Sequence, residues 1–239
     1  VGGREIRSRA SAIVDDGLKI DLPPDTFWQL TRDGLDARDW TALIFTHSHE
    51  DHFAVGELQY GMYPFNEREF LGYVIYGNAA IGDGVSSHYP DWPIEFVLTR
   101  SFEPFCHLAY EITPIEANHK NDEDSQNLVF SSGGRTAIYA TDTGIWPEVT
   151  WEYLSGIRAD ALVIECTDGI VEGGYEGHLS LSRLKMVVER LRRQGTLGSG
   201  SRVVTTHHSH QGDATHEELV ALLRPDGIEV GYDGLVVEV

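Results

Sequence analysis

Thr41-Ala42-Leu43-Ile44-Phe45-Thr46 runs directly into His47-Ser48-His49-Glu50-Asp51-His52. The first six residues are apolar, rich in strand formers and bounded by polar residues, which reads as a short buried strand. The next six hold three histidines and one aspartate. Histidine makes up only 11 of the 239 residues, so this density reads as a divalent-metal site rather than a solvated loop. Imidazole nitrogen and carboxylate oxygen suit borderline cations, and a tight loop pinned by a rigid strand can aim alternate side chains at two neighbouring ions.

Other candidate ligands also follow strand-like runs. His119 comes after Ile115-Glu116-Ala117-Asn118, Asp142 after Ile138-Tyr139-Ala140-Thr141, and His207 after Val203-Val204-Thr205-Thr206. His178 follows a glycine-rich approach, Gly173-Gly174 and Gly177, that predicts a mobile loop. Side chains placed just past strand ends converge on one edge of a sheet.

The rest of the chain fits an α/β protein. A hairpin is expected where Ala12-Ile13-Val14 and Leu18-Lys19-Ile20 flank Asp15-Asp16-Gly17, stopped by Pro23-Pro24. Further strands are expected at 73–76, 94–99, 108–115, 127–131, 136–140, 161–165 and 202–206, with a hairpin loop at 131–135. A last hairpin around Tyr232-Asp233-Gly234 closes the chain on a strand. Helices are expected at 180–193, 147–154 and 215–223, the last with Leu219, Leu222 and Leu223 facing inward, and a fourth near His52. Gly195 to Ser201 reads as a loop. Strands lead and helices punctuate in both halves, which suits two sheets covered by helices in a single domain, 1–239, better than one doubly wound sheet.

Composition narrows the function. With 41% hydrophobic against 23% charged residues, the chain can offset its ordering entropy and fold. Eighteen Lys and Arg against 38 Asp and Glu give a net charge of −20, which disfavours extended nucleic-acid binding. No apolar run approaches the roughly 18 residues that span a bilayer, so no membrane partner is expected. The two cysteines, Cys106 and Cys166, lie in apolar stretches and read as buried thiols in a reducing, cytoplasmic setting.

The order H-x-H-x-D-H, a lone His, an Asp after a strand and a late His resembles the metallo-β-lactamase superfamily. The phrases Tyr139-Ala140-Thr141-Asp142-Thr143-Gly144, Thr206-His207-His208-Ser209-His210-Gln211 and Val230-Gly231-Tyr232-Asp233-Gly234 resemble the PhnP-type cyclic phosphodiesterases of the carbon–phosphorus lyase pathway, part of phosphonate metabolism. The resemblance runs from about Ser11 to Val239. It implies a four-layer αββα sandwich of two mixed sheets flanked by helices, and two divalent ions, Zn²⁺ or Mn²⁺, with Fe²⁺ also compatible. His47, His49 and His119 would hold one ion, Asp51, His52 and His207 the second, and Asp142 would bridge them. Two dications against two carboxylates and one hydroxide leave a locally positive pocket, suited to a small anionic phosphodiester.

The implied reaction is the opening of a small cyclic sugar phosphate, of the phosphoribosyl 1,2-cyclic phosphate class, by a metal-bridging hydroxide. The catalytic candidates are Asp51 and His178, the latter as general acid or substrate clamp. A homodimer is implied by the resemblance alone. His210 matches a family position that joins three N-terminal cysteines around a structural zinc, and no such cysteines occur here. Either that zinc is lost in this lineage, or the cysteine segment precedes Val1; His210 then remains a candidate support for the site, with Asp21, Glu165 and Asp168. His88, His107, His208 and His216 have no expected role. Tyr60-Gly61-Met62-Tyr63-Pro64-Phe65 could form an apolar wall, an interface or plain core. Two alternative readings stay open: hydrolysis of an acyl substrate such as a lactone, thioester or β-lactam at the same centre, and a metal-binding scaffold without turnover. A tRNA-processing nuclease is disfavoured by the charge and the lack of a basic tract.

Overall fold

A computed structural model of the chain describes residues 2–15, 17–61, 65 and 74–239. Their contacts divide into two compact units, Ser8–Arg100 with Asp122–Ser125, and Val1–Arg7 with Ser101–Asn121 and Gln126–Val239.

The smaller unit opens on the expected hairpin, β1 (Ala12–Val14) and β2 (Leu18–Ile20), with Val14 opposite Leu18. The chain then enters a helix the sequence reading passed over, α1 (Thr26–Asp33), which ends on left-handed Gly34. It returns as β3 (Ala42–Ile44), parallel to β2. After the histidine segment come β4 (Val74–Gly77), α2 (Ala79–His88) and β5 (Phe96–Leu98), with all of β2 to β5 parallel. Parallel neighbours need long crossovers, and the crossover between β3 and β4 carries the histidine segment. The helix expected near His52 is instead a tighter 3₁₀ helix, Val55–Gly61. Tyr73 of the predicted fourth strand, Asp16 of the first turn, and Met62, Tyr63 and Pro64 lie outside the described residues.

Helix α2 was hidden by its own glycines, which lower helix propensity by about 1 kcal/mol each. Packing explains them. A Cβ at Gly82 would lie 2.7 Å from the Phe96 ring, and one at Gly84 2.5 Å from Phe53. Asn78 caps the helix by accepting from the Ile81 N–H. Leu22, Leu43, Phe45, Phe53, Ile75 and Ile81 form the core of this unit.

The larger unit begins its sheet with β6 (Phe105–His107) and β7 (Tyr110–Glu116), then β8 (Gln126–Ser132) and β9 (Arg135–Ala140), antiparallel throughout. The predicted β8–β9 loop turns through Gly133 and Gly134, both at positive φ as a two-residue hairpin turn demands. Next come α3 (Glu148–Ser155), β10 (Ala159–Glu165), α4 (Leu181–Gln194), β11 (Leu197–Thr206), α5 (His216–Leu223) and β12 (Glu229–Val230). Strands β9 to β12 run parallel. The helix termini follow local chemistry: Ser180 caps α4, Gly195 ends it in the left-handed region, and Thr215 with Glu218 forms a capping box on α5.

The structure departs from the sequence-based expectations at several places. The Gly195 to Ser201 stretch belongs mostly to β11: Ala159 pairs with Leu197 and Ala161 with Arg202, so extra residues bulge out within a continuous strand. The segment after Gly234 forms no strand, and the chain does not close on one. Leu222 points outward at 40% exposure. Cys106 is exposed because β6 is the sheet's edge strand, whereas Cys166 is fully buried and its thiol is pushed up to about 12, chiefly by burial. Two mixed sheets flanked by helices make this an α/β fold. No helix among the described residues is long and apolar enough to cross a membrane.

Candidate metal centre

In the smaller unit, β3 delivers Thr46 and the fully buried His47 at its C-terminal end. Asp21, just past β2 at φ 57°, accepts from the Thr46 N–H (2.8 Å) and hydroxyl, and its other oxygen meets His52 Nδ1 at 2.8 Å. The Thr46 hydroxyl also lies 3.0 Å from His47 Nδ1. Glu123 closes the loop from the far side, accepting from the Ser48 N–H at 2.9 Å and the Ser48 hydroxyl at 3.0 Å. The result gathers four candidates: His47 Nε2 is 3.1 Å from His49 Nδ1, the His47 and His52 rings are 4.4 Å apart, and Asp51 reaches within 3.8 Å of His52 Nε2.

In the larger unit one topological fact assembles the rest. Asp142 and His207 follow β9 and β11, while Glu165 ends β10 between them, paired with Thr206. These three strands are parallel, so their C-terminal ends share an edge. Strand β7 runs antiparallel to β8, which runs antiparallel to β9, so its C-terminal end, which leads to His119, reaches the same edge. Asp142 and His207 have φ of 50° and 53°, uncommon for residues with side chains.

The carboxylate of Asp142 is shared. One oxygen lies 3.6 Å from His119 Nε2 and the other 3.3 Å from His207 Nε2. Donors on one tetrahedral ion with bonds of about 2.0–2.1 Å sit about 3.3 Å apart, so these spacings, and that between His47 and His49, fit shared cations. The outer nitrogens are held as ligating imidazoles require. His119 Nδ1 faces the Gly177 carbonyl at 3.0 Å and His207 Nδ1 the Thr167 hydroxyl at 2.7 Å. With His47 and His52, four imidazoles have Nδ1 anchored to an oxygen and present Nε2. The donor set in each unit therefore fits divalent metal.

His178 joins the cluster in the larger unit, where its ligand atom groups with those of His119 and Asp142 and, separately, with Glu165 and His207. Its ring stacks on His207 at 5.6 Å. Burial lowers its pKa, but the hydrogen bond from Nδ1 to Glu165 (2.9 Å) and the charges of Glu165, Asp142 and Asp168 outweigh that, so the net shift is upward. Glu165 is locked by the backbone N–H groups of Thr143, Thr167 and Leu179. Asp168 is pushed up by burial and by Glu165, with His178 opposing.

The loop before His178 is packed by its glycines rather than loosened by them. A Cβ at Gly144 would meet the Glu176 carbonyl at 1.8 Å, and one at Gly174 would meet Asp168 at 2.5 Å. His210 is exposed on a short 3₁₀ turn, and among the described residues its side chain makes no hydrogen bond to the cluster. The loop after His207 is braced from the N-terminus: Arg7 donates to the carbonyls of Ser209 and Ala214, both at 3.0 Å, and Glu5 accepts from the His216 N–H. His208, pushed down to about 3 by burial with Arg7, His207 and His216 adding, is neutral and bonded to Thr205. Thr46, Glu123, Thr167 and Tyr175 went unread in the sequence. Only Thr46, beside the histidine segment, carried a local signal.

A model of the beta-lactamase superfamily domain matches residues 20–208. The chain belongs to this superfamily and has the metallo-β-lactamase fold. Solved structures similar to it include the metallo-β-lactamase fold protein YhfI from Bacillus subtilis (19% identity, 95% of this chain and 90% of that one covered, TM-score 0.73). A new diphosphatase from the PhnP family matches at 22% identity over 100% and 88%, with a TM-score of 0.75. Zn²⁺-bound PqqB from Methylobacterium extorquens matches at 17% over 96% and 86%, with a TM-score of 0.71. At these identities the likeness is one of fold. No match to this chain was found among curated protein sequences.

Proposed function

We propose that this superfamily member is a dinuclear metal-dependent phosphodiesterase acting on a small cyclic sugar phosphate. The observation that carries the reading is the split carboxylate of Asp142, one oxygen toward His119 and the other toward His207, as a bridging ligand requires. The ligand sets are those the resemblance implies: His47, His49 and His119; Asp51, His52 and His207; Asp142 common to both. When bound, two divalent ions would activate water for in-line attack and neutralise charge developing on the phosphoryl oxygens.

The residues of the chain supply the remaining steps. Glu165 holds His178 Nδ1–H, which leaves Nε2 to carry a proton. Protonated His178 gives that proton to the leaving alkoxide, and its raised pKa keeps it charged closer to neutrality. Asp21, Thr46, Gly177 and Thr167 keep the ligating imidazoles in the tautomer whose Nε2 lone pair can bind a cation. A shared carboxylate at the Asp142 position favours phosphoryl over β-lactam chemistry, since β-lactamases of this fold often place cysteine in the second site. The diphosphatase of similar fold also acts at phosphorus, which supports the same preference.

The test is direct. Chelated protein should lose turnover of bis(p-nitrophenyl) phosphate, cyclic nucleotides and ribose cyclic phosphate, and regain it with Mn²⁺ or Zn²⁺ at about two ions per chain. Metal-loaded protein that hydrolyses a lactone, thioester or cephalosporin but none of the phosphodiesters sinks the proposal.

A further inference from the structure

Tyr175 has no part in the ligand set, yet it is built into it. Its hydroxyl donates to the backbone carbonyl of His119 at 2.5 Å. Its ring stands edge-on to the His119 imidazole (5.9 Å, 71°) and to that of His178 (5.8 Å, 75°). Even so, 54% of the residue remains exposed. An isolated exposed aromatic needs no explanation; one pinned at three points does. The third point is Gly177, where a Cβ would lie 2.4 Å from the Tyr175 ring. Gly177 is not at positive φ, so its backbone does not call for glycine, whereas the adjacent ring does.

The loop is closely packed on both sides of the ring: a Cβ at Gly144 would meet the Glu176 carbonyl, and one at Gly174 would meet the Asp168 carboxylate. Tyr175 is therefore a preset surface rather than a side chain free to fold away. It stands beside the imidazole that the proposed reaction uses as acid and beside one ligand to the first ion. A group attached to a phosphate held there would lie against a rigid aromatic face.

We infer that Tyr175 is a specificity-determining residue that stacks on a planar aromatic group carried by the phosphate ester. The inference rests on the phosphoesterase reading and narrows it, setting nucleoside or aryl phosphates ahead of a bare sugar phosphate. Stacking of a base on an aromatic side chain contributes about 1–3 kcal/mol, or roughly 5- to 150-fold in affinity.

Calorimetric binding to the metal-loaded full chain tests this without turnover. Two ligand pairs share a phosphate and differ by a ring: AMP against ribose 5-phosphate, and benzyl phosphate against methyl phosphate. Wild type should prefer the ring-bearing member at least 5-fold, and Tyr175→Ala should lose that preference with its metal content intact. Tyr175→Phe, which removes only the hydroxyl bonded to His119, should keep it. Preference in the AMP pair alone identifies a nucleobase, and in both pairs any aryl group. Equal affinity within both pairs, or a preference that survives in Tyr175→Ala, overturns the inference and leaves the phosphoesterase reading standing. Failure of all four ligands to bind overturns both.

Discussion

Asp21 shows how much of the centre depends on a residue that would touch no ion. Its carboxylate accepts from Thr46 and faces His52 Nδ1, so the proton of His52 sits on Nδ1 and Nε2 keeps its lone pair. Asn at this position tolerates the φ of 57° and can still accept from the Thr46 N–H. Its amide would donate to Nδ1, which forces the proton onto Nε2 and removes the donor. On the proposed two-ion reading, Asp21→Asn should therefore bind the ion held by His52 roughly 10- to 100-fold more weakly, with an unchanged circular dichroism spectrum. Metal titration against a chromophoric chelator measures this. Two ions bound with wild-type affinity would show that Asp21 is only a structural brace.

At the scale of elements, legibility followed locality. The histidine segment, the β1–β2 and β8–β9 hairpins and α4 announced themselves because their chemistry lies within a few residues: turn residues between short apolar runs, Ser180 before α4, Gly195 after it. Asp142, His119 and His207 could be read because each directly follows a strand-like run. Thr167 and Glu123 could not, since what makes them matter is a partner 40 and 75 residues away. Helix α2 was illegible for the opposite reason, because its glycines speak for packing and against helix. That conflict makes a test. Gly84→Ala gains helix propensity of about 1 kcal/mol but drives a methyl into Phe53, next to His52. Overpacking of this kind costs about 1–3 kcal/mol, so the variant should melt several degrees lower, and Phe53→Leu added to it should recover part of the loss. A Gly84→Ala protein as stable as wild type in a thermal melt would mean that Phe53 moves aside freely.

A chain with net charge −20 nonetheless buries one of its few cations. Lys19 lies in β2 between Ile13 and Leu43 on the adjacent strands and is 2% exposed, with Nζ donating to the Ile20 carbonyl at 3.2 Å. Burial pulls its pKa down to about 7, with the charge of Asp21 opposing. In the unfolded chain it titrates near 10.5. Between these values the unfolded state holds a proton that the folded state has released, so the Lys19 contribution to stability rises with pH across that window and is flat below it. Met at this position would fill similar space without a charge to bury, so Lys19→Met should be the more stable protein at pH 6 to 7. Its advantage should then shrink by roughly 1 kcal/mol per pH unit from about 7.5 to 9. Cys166 and His208, the other strongly shifted buried groups, are common to both proteins and cancel in the comparison. Urea denaturation of the pair at pH 6, 7, 8 and 9 reads the difference, and parallel stability curves would mean that the ammonium reaches water in the folded state.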